Sequence, residues 1–221
     1  MFPRIVFAAL ALLAAPLAFS LPLVGSGTPV TQTREVSGFH GLRLAIPARV
    51  EVVQGEREGI TLTADDNVAG EVETTVEDGV LHIRWRSRDL QARLKTELRV
   101  TLQARMLDSI AILGSGDVRA PALTASRMAV NISGSGDVSL GGKAQSLEVR
   151  ISGSGDLRAG KFEAENVSVR IAGSGDAIVW ARRALDASVA GSGDVRYYGD
   201  PAIKRHIAGS GSVRKSGDAP G

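Results

Sequence analysis

Apolar and polar residues alternate along the second half of the chain, and the alternation returns every 18–20 residues. Each copy surrounds a Gly-Ser-Gly-Asp phrase that starts at Gly114, Gly134, Gly153, Gly173 and Gly191, with a Gly-Ser-Gly-Ser variant at Gly209. The residue two positions before each phrase is always apolar: Ile112, Ile132, Ile151, Ile171, Val189 and Ile207. A period of two is typical of a strand with one buried face, and a constant repeat near 20 residues is typical of stacked units. The pattern therefore predicts a solenoid with one phrase in each rung.

The phrase itself predicts a corner between two strands. The apolar alternation resumes four residues after the first glycine of each copy, at Val118, Val138, Leu157, Ala177, Val195 and Val213. The same parity places both glycines on the inward side, where a bend leaves no room for a side chain. The differences in repeat length fall at a second bend, marked by Gly141-Gly142, Gly160 and Asp200-Pro201. Because parallel crossovers are right-handed in about 98% of cases, the predicted fold class is an all-β, single-chain, right-handed parallel β-helix.

The first half predicts strands without a regular repeat, and the chain divides accordingly. A basic start, an apolar run from Ile5 to Phe19 and a small-residue exit indicate a signal peptide over residues 1–20. A linker is expected over 21–33, followed by a β-helix domain over 34–216. In this domain, residues 34–110 form irregular N-terminal rungs and 111–216 the regular ones, and 217–221 form a tail.

Composition limits the classes of partner. The 221 residues carry 26 basic and 24 acidic side chains, so no strong field favours nucleic acid. The chain contains no cysteine, so an exported protein of this sequence relies on packing and backbone pairing for stability. No segment after the signal peptide is apolar enough to predict a membrane span. The expected location is the periplasm or the cell surface of a bacterium, and the oligomeric state is left open.

The aspartates of the phrase predict a column of carboxylates along the solenoid. Strands in register stand about 4.8 Å apart, so turn N–H groups or a cation must offset the repulsion between these residues. Calcium is one interpretation, but a single carboxylate per rung supplies few ligands. We therefore predict a metal-free structural column of turn residues and no cofactor. Its members are Asp117, Asp137, Asp156, Asp176 and Asp194.

Aromatic and basic residues mark the best candidate ligand platform. Trp180 and Tyr198 have the same offset in neighbouring rungs, so they are expected to stack on the outer surface beside Tyr197 and Arg196. Such a pair either stacks as an aromatic ladder between rungs or binds a sugar ring by stacking on it. A column of basic residues lies close by at Arg119, Arg158, Arg196 and Arg214, with Ser139 and Ile178 interrupting it. These cations either balance the aspartates or contact an acidic glycan.

Several motifs in a fixed order carry a family resemblance. They are Arg34-Glu35-Val36-Ser37-Gly38-Phe39-His40-Gly41-Leu42, Val50-Glu51-Val52-Val53-Gln54-Gly55, Glu77-Asp78-Gly79-Val80-Leu81-His82-Ile83 and the following GSGD repeats. With these motifs, most of the chain resembles the head GIN domain family, described as putative auto-transporter adhesins. The resemblance implies an exported β-helical domain and supplies no catalytic residues.

Signals of catalysis are weak in this sequence. The three histidines are scattered, and the carboxylates of the repeat are spread evenly over five rungs. A glycan-cleaving enzyme needs such groups clustered on one face. The sequence therefore predicts a non-catalytic, adhesin-like or scaffold module for an extended polymer, a glycan or an envelope protein. The alternative is a carbohydrate-active β-helix enzyme, a polysaccharide lyase or hydrolase.

Overall fold

The computed structural model describes residues 22–220, so the predicted signal peptide over 1–20 lies outside the described residues. Strands dominate this part of the chain, and its one short helix lies in the N-terminal half. The N-terminal elements are β1 (Leu23–Val24), β2 (Pro29–Arg34), β3 (Gly41–Leu44), β4 (Arg49–Gln54), β5 (Gly59–Asp65), α1 (Asp66–Ala69), β6 (Val72–Glu77), β7 (Val80–Trp85), β8 (Ala92–Arg93) and β9 (Arg99–Ala104). The C-terminal elements are β10 (Ser109–Gly114), β11 (Asp117–Gly134), β12 (Val138–Gly153), β13 (Leu157–Gly173), β14 (Ala177–Gly191), β15 (Asp194–Tyr198), β16 (Ala202–Gly209) and β17 (Ser212–Gly217).

The second half is a stack of parallel rungs, as the repeat predicts. Before the corner, β10, β11, β12, β13, β14 and β16 pair in that order. The apolar residues two positions before each phrase, which we call the isoleucine column although Val189 is one of them, form one ladder from Ile112 to Ile207. After the corner, a second ladder runs from Val118 to Val213. Register shifts occur between Ala120 and Leu123, between Ser139 and Gly141, and between Ala159 and Glu163. The all-β solenoid and the variable second bend are therefore confirmed.

The two glycines of the phrase in β12 both lie against the preceding rung, but they differ in burial and backbone conformation. Gly155 is buried, and a Cβ there would lie closer than 3.0 Å to the carbonyl oxygen of Gly136 in the preceding rung. A Cβ at Gly153 would also lie closer than 3.0 Å to a carbonyl oxygen, that of Gly134. Gly153 is half-exposed, however, and has a φ of +127°, a conformation that residues with a Cβ rarely adopt. The inward prediction holds for the second glycine and is wrong for the first, because the chain turns at the first glycine with a positive φ and loses its simple alternation there.

Two further parallel rungs and an antiparallel cap form the N-terminal half. β3 and β7 extend the ladder before the corner, and β4 and β9 extend the ladder after it. β6 then adds antiparallel to β7, while β5 adds antiparallel to β9 and β2 to β5. The predicted irregular rungs are thus part parallel and part antiparallel.

The segment expected as a linker belongs to the fold. β1 pairs with β8 in parallel, and all six residues of β2 pair with β5. The side chains of β2 alternate between half-buried and exposed, and Val30 packs against the core. Residues 29–33 therefore belong to a strand because this short alternation finds a partner far away in the sequence.

The two ends of the solenoid differ. The antiparallel strands and α1 cover the N-terminal end, where Val68 and Ala69 are fully buried. At the C-terminal end all eight residues of β16 are exposed, including Ile203 and Ile207 of the inward columns. The expected tail also makes contacts: Asp218 forms a 2.7 Å ion pair with Lys215, and Pro220 lines a surface cleft.

Candidate functional site

The aspartate column is held together by hydrogen bonds between rungs. From Asp137 to Asp194, the backbone N–H of each aspartate donates to Oδ1 of the aspartate in the preceding rung, over 2.8–3.2 Å. At the end of the column, Ser212 replaces aspartate and donates both its N–H and its hydroxyl to Asp194. The carboxylates therefore accept from the neighbouring rung, whereas the sequence suggested the turn's own backbone.

Basic side chains and a hydroxyl offset the like charges of this column. Arg158 bridges two rungs, with N–O distances of 2.9 Å to Asp137 and 3.4 Å to Asp156. The Ser212 hydroxyl, helped by Arg214 and Arg196, holds the pKa of Asp194 below its ordinary value. Among residues 22–220, no group of His, Asp and Glu side chains is arranged to hold a metal ion.

This geometry predicts a small cost for an amide in the column. In Asp156→Asn, the amide oxygen still accepts the N–H of Asp176, so unfolding free energy should change by less than about 1 kcal/mol. Asp156→Ala removes the acceptor and should cost about 1 kcal/mol. Chemical denaturation with and without EDTA measures both effects. A stabilisation by calcium that disappears in Asp156→Asn would contradict the metal-free column.

Basic and aromatic side chains line a cleft along the ladder of strands that follows the corner. We call it the side cleft; it has a volume of about 350 Å³. Arg119 and Arg158 line it from positions two rungs apart in one register column, and Lys161 and Tyr198 complete the polar wall. Leu140 and Ile178 contribute apolar surface. Neither Arg119 nor Lys161 has an ion-pair partner within residues 22–220, whereas Arg158 is shared with two aspartates.

The local chain explains why Tyr198 reaches this cleft. The rung of β13 is longer than that of β14, so Gly160 lies in an irregular stretch between Ala159 and Glu163. A Cβ at Gly160 would lie 3.3 Å from Cε2 of Tyr198, so the phenol ring covers this glycine. The missing side chain at Gly160 therefore leaves the space that the ring occupies.

The expected platform is only partly brought together. Trp180 and Tyr198 are register neighbours and both are half-exposed, but Tyr198 alone of the four predicted residues lines the side cleft. Tyr197 is only 9% exposed and packs in the core, because it alternates with the outward Arg196 and Tyr198. This burial corrects the prediction that Tyr197 belongs to an exposed platform.

Sequence reasoning missed four residues that line the side cleft: Pro121, Leu140, Lys161 and Pro220. Lys161 lies in the irregular stretch of β13, and the longer repeat at that rung is the signal that could have drawn attention to it. Pro220 reaches the cleft from the segment after β17, and nothing in the repeat pattern indicates that position.

The fold and this surface define a parallel β-solenoid with a basic, partly aromatic cleft on its side. The family model described as "Putative auto-transporter adhesin, head GIN domain" matches residues 38–201, and the chain belongs to that family. A search of curated proteins gave no significant match.

Solved structures of bacterial proteins share the fold. A putative adhesin from Bacteroides fragilis NCTC 9343 is 22% identical, with a TM-score of 0.72, over 87% of this chain and 99% of that one. A putative lipid binding protein from Parabacteroides distasonis ATCC 8503 is 25% identical, with a TM-score of 0.61, over 88% and 99% of the two chains. Within residues 22–220, no helix has the length and apolar character needed to cross a membrane.

Proposed function

We propose that this protein is an exported, non-catalytic binding module of the bacterial cell envelope that holds an anionic, extended polysaccharide along its side. The side cleft is the observation that carries the proposal. Arg119 and Lys161 supply positive charge that no carboxylate of the described chain neutralises, and Tyr198 supplies an aromatic edge beside them. Acidic sugars offer both a negative group and an apolar ring face, so this combination suits them.

The repeat favours an extended ligand over a compact one. Arg119 and Arg158 are register partners two rungs apart, so their backbones stand about 9–10 Å apart along the axis. A polymer that follows the axis meets a basic or polar group at each such step. Export is supported by the predicted signal peptide over residues 1–20 and by the adhesin description of the family.

The test is an equilibrium binding assay with alginate, a polyuronate, and with dextran as the neutral polymer. We expect alginate to bind, dextran not to bind, and salt to weaken the alginate complex because its charges are exposed. Lys161→Glu should weaken binding about tenfold or more, since it replaces an attraction with a repulsion. Tyr198→Ala should weaken it less.

Lys204→Glu provides the matched control, because it makes the same charge change on β16, outside the side cleft. Equal loss of binding in the Lys161 and Lys204 variants would show that net charge, and not the cleft, attracts the polymer. Equal binding of dextran and alginate would also contradict the proposal.

A second candidate function is lipid binding. An apolar groove of about 640 Å³ crosses the register columns of β11 to β16, with Leu147, Val167, Leu185 and Ile203 along it. The relative from Parabacteroides distasonis is named a lipid binding protein. Titration with a dansyl-labelled fatty acid separates the two functions. Saturable binding that Ile203→Asp abolishes would support lipid binding. If the fatty acid does not bind, polysaccharide binding is the function that remains.

A further inference from the structure

A second cleft lies near the N-terminal cap, on the outer face of the strands before the corner. We call it the cap cleft; its volume is about 610 Å³, within the usual range for small-ligand pockets. β3 and β7 form its floor, where Arg43 and His82 are register partners. The segment that follows β7 forms its rim with Arg86 and Arg88.

The positive charge of the cap cleft is only partly neutralised. Its two carboxylates, Glu73 and Glu77, both pair with Arg84, at 2.7 and 2.8 Å. These hydrogen bonds raise the pKa of Arg84 and keep Glu77 ionised by lowering its pKa. The carboxylates are therefore already used by one of the four arginines that line the cavity.

The other basic groups of the cap cleft remain available to a ligand. Arg86 donates one bond to the carbonyl of Gly70, over 2.8 Å. Arg43, His82 and Arg88 make no hydrogen bond or ion pair with another side chain within residues 22–220. Arginine can hold a phosphate or carboxylate through two parallel N–H bonds, so these groups form a suitable anion site.

An aromatic wall completes the cap cleft. Trp85 is half-buried, packs against the core and lines the cavity beside Leu113. A fixed indole presents a flat apolar surface with an electron-rich face. A ligand with only an anionic group would leave this wall unused, whereas a ring that carries the anion contacts both parts of the cavity.

We propose that the cap cleft binds a single anionic sugar, a pyranose ring that carries a phosphate or a carboxylate. Arg43 and Arg88 hold the anionic group, and Trp85 stacks on the ring. This site shares no lining residue with the side cleft and takes a small ligand. The proposal of sugar binding in the cap cleft is therefore tested independently of polysaccharide binding in the side cleft.

The two tryptophans of the chain make the test specific. They are Trp85 and Trp180, so Trp180→Phe leaves Trp85 as the single tryptophan, whose emission is recorded with excitation that tyrosine does not absorb. We expect glucose 6-phosphate or glucuronate to change its emission in a saturable manner below about 10 mM, glucose to have no effect, and inorganic phosphate to bind more weakly. The comparison of the two anionic sugars identifies the preferred anion.

Variants of the cap cleft and a calorimetric titration complete the experiment. Arg43→Ala in the same background should weaken binding about tenfold or more, because a charged hydrogen bond is lost. Arg127→Ala is the matched control, since Arg127 is exposed and pairs with Glu148 outside this cleft. If the emission does not change, calorimetry decides. No heat with either anionic sugar, equal affinity for glucose, or unchanged affinity in Arg43→Ala would overturn the proposal.

Discussion

Alanine at Gly155 should destabilise the protein by about 3 kcal/mol or more, because its Cβ would overlap the backbone of the preceding rung. The contact is with the carbonyl oxygen of Gly136, and paired rungs on both sides prevent that strand from moving away. For a chain of this size, such a loss lowers the melting temperature by roughly 6–12 °C. Differential scanning calorimetry measures the shift.

Gly70→Ala is the matched control for this prediction. Gly70 has a φ of −69°, which any residue adopts, and a Cβ there would meet no atom within 4 Å. Its substitution should be neutral or slightly stabilising, because alanine reduces the freedom of the unfolded chain. Similar melting temperatures for Gly155→Ala and wild type would show that the rungs are not stacked as closely as described.

Asp65→Ala should have the second largest effect, a fall in melting temperature of roughly 5 °C or more. Asp65 is fully buried at the end of β5. Its Oδ1 accepts the N–H of Gly27 at 3.0 Å, and its Oδ2 accepts those of Lys95 at 3.0 Å and Thr96 at 3.2 Å. Removing the carboxylate leaves three N–H groups without their acceptor and detaches two segments from the cap.

The same residue predicts a dependence on pH. The Thr96 side chain first, and then the three backbone N–H groups, hold the pKa of Asp65 below its ordinary 3.8. Because the folded pKa is the lower one, the carboxylate stabilises the fold above pH 3.8 and loses this effect as the pH falls through the folded value.

Comparison with the neighbouring carboxylate tests this pH dependence. Asp66→Ala is the matched control, since Asp66 is exposed and its carboxylate accepts only from the Ser26 hydroxyl and the N–H of the next residue, Asn67, within residues 22–220. Acid denaturation should therefore separate Asp65→Ala from wild type near neutral pH and bring the two together in strong acid. A constant difference at all pH values would contradict the assignment to the Asp65 carboxylate.

The repeated half of the fold could be predicted from the sequence because each rung repeats the same pattern of apolar, polar and glycine positions. The isoleucine column and the second glycine are fixed by alternation and by the distance between stacked strands, and both are visible in six copies. The first glycine departs from the pattern because the turn there needs a positive φ, which period-two counting cannot register.

The N-terminal half could be predicted only as strands. β2 pairs with β5 about 30 residues away, and no repeat in the sequence indicates this partner. Asp65 joins segments near residues 27 and 95 through long-range hydrogen bonds, and no local pattern of residues indicates these partners.

The candidate site was harder to predict than the fold. Its members are outward side chains, and their meeting depends on differences between rungs. Tyr198 reaches the side cleft because Gly160 has no side chain, and Lys161 enters through the longer rung of β13. Alternation with Arg196 and Tyr198 places Tyr197 in the core, so the run of aromatic residues in the sequence does not form one exposed cluster.

The proposed function is the binding of an anionic polysaccharide without its cleavage. The most direct measurement is size-exclusion chromatography with light scattering of alginate after a day with the protein, with and without subsequent removal of the protein. We predict that alginate co-elutes with the protein and that the recovered chains keep their original length. Shortened chains would establish the alternative, a carbohydrate-active enzyme, and alginate that elutes apart from the protein would contradict the binding function.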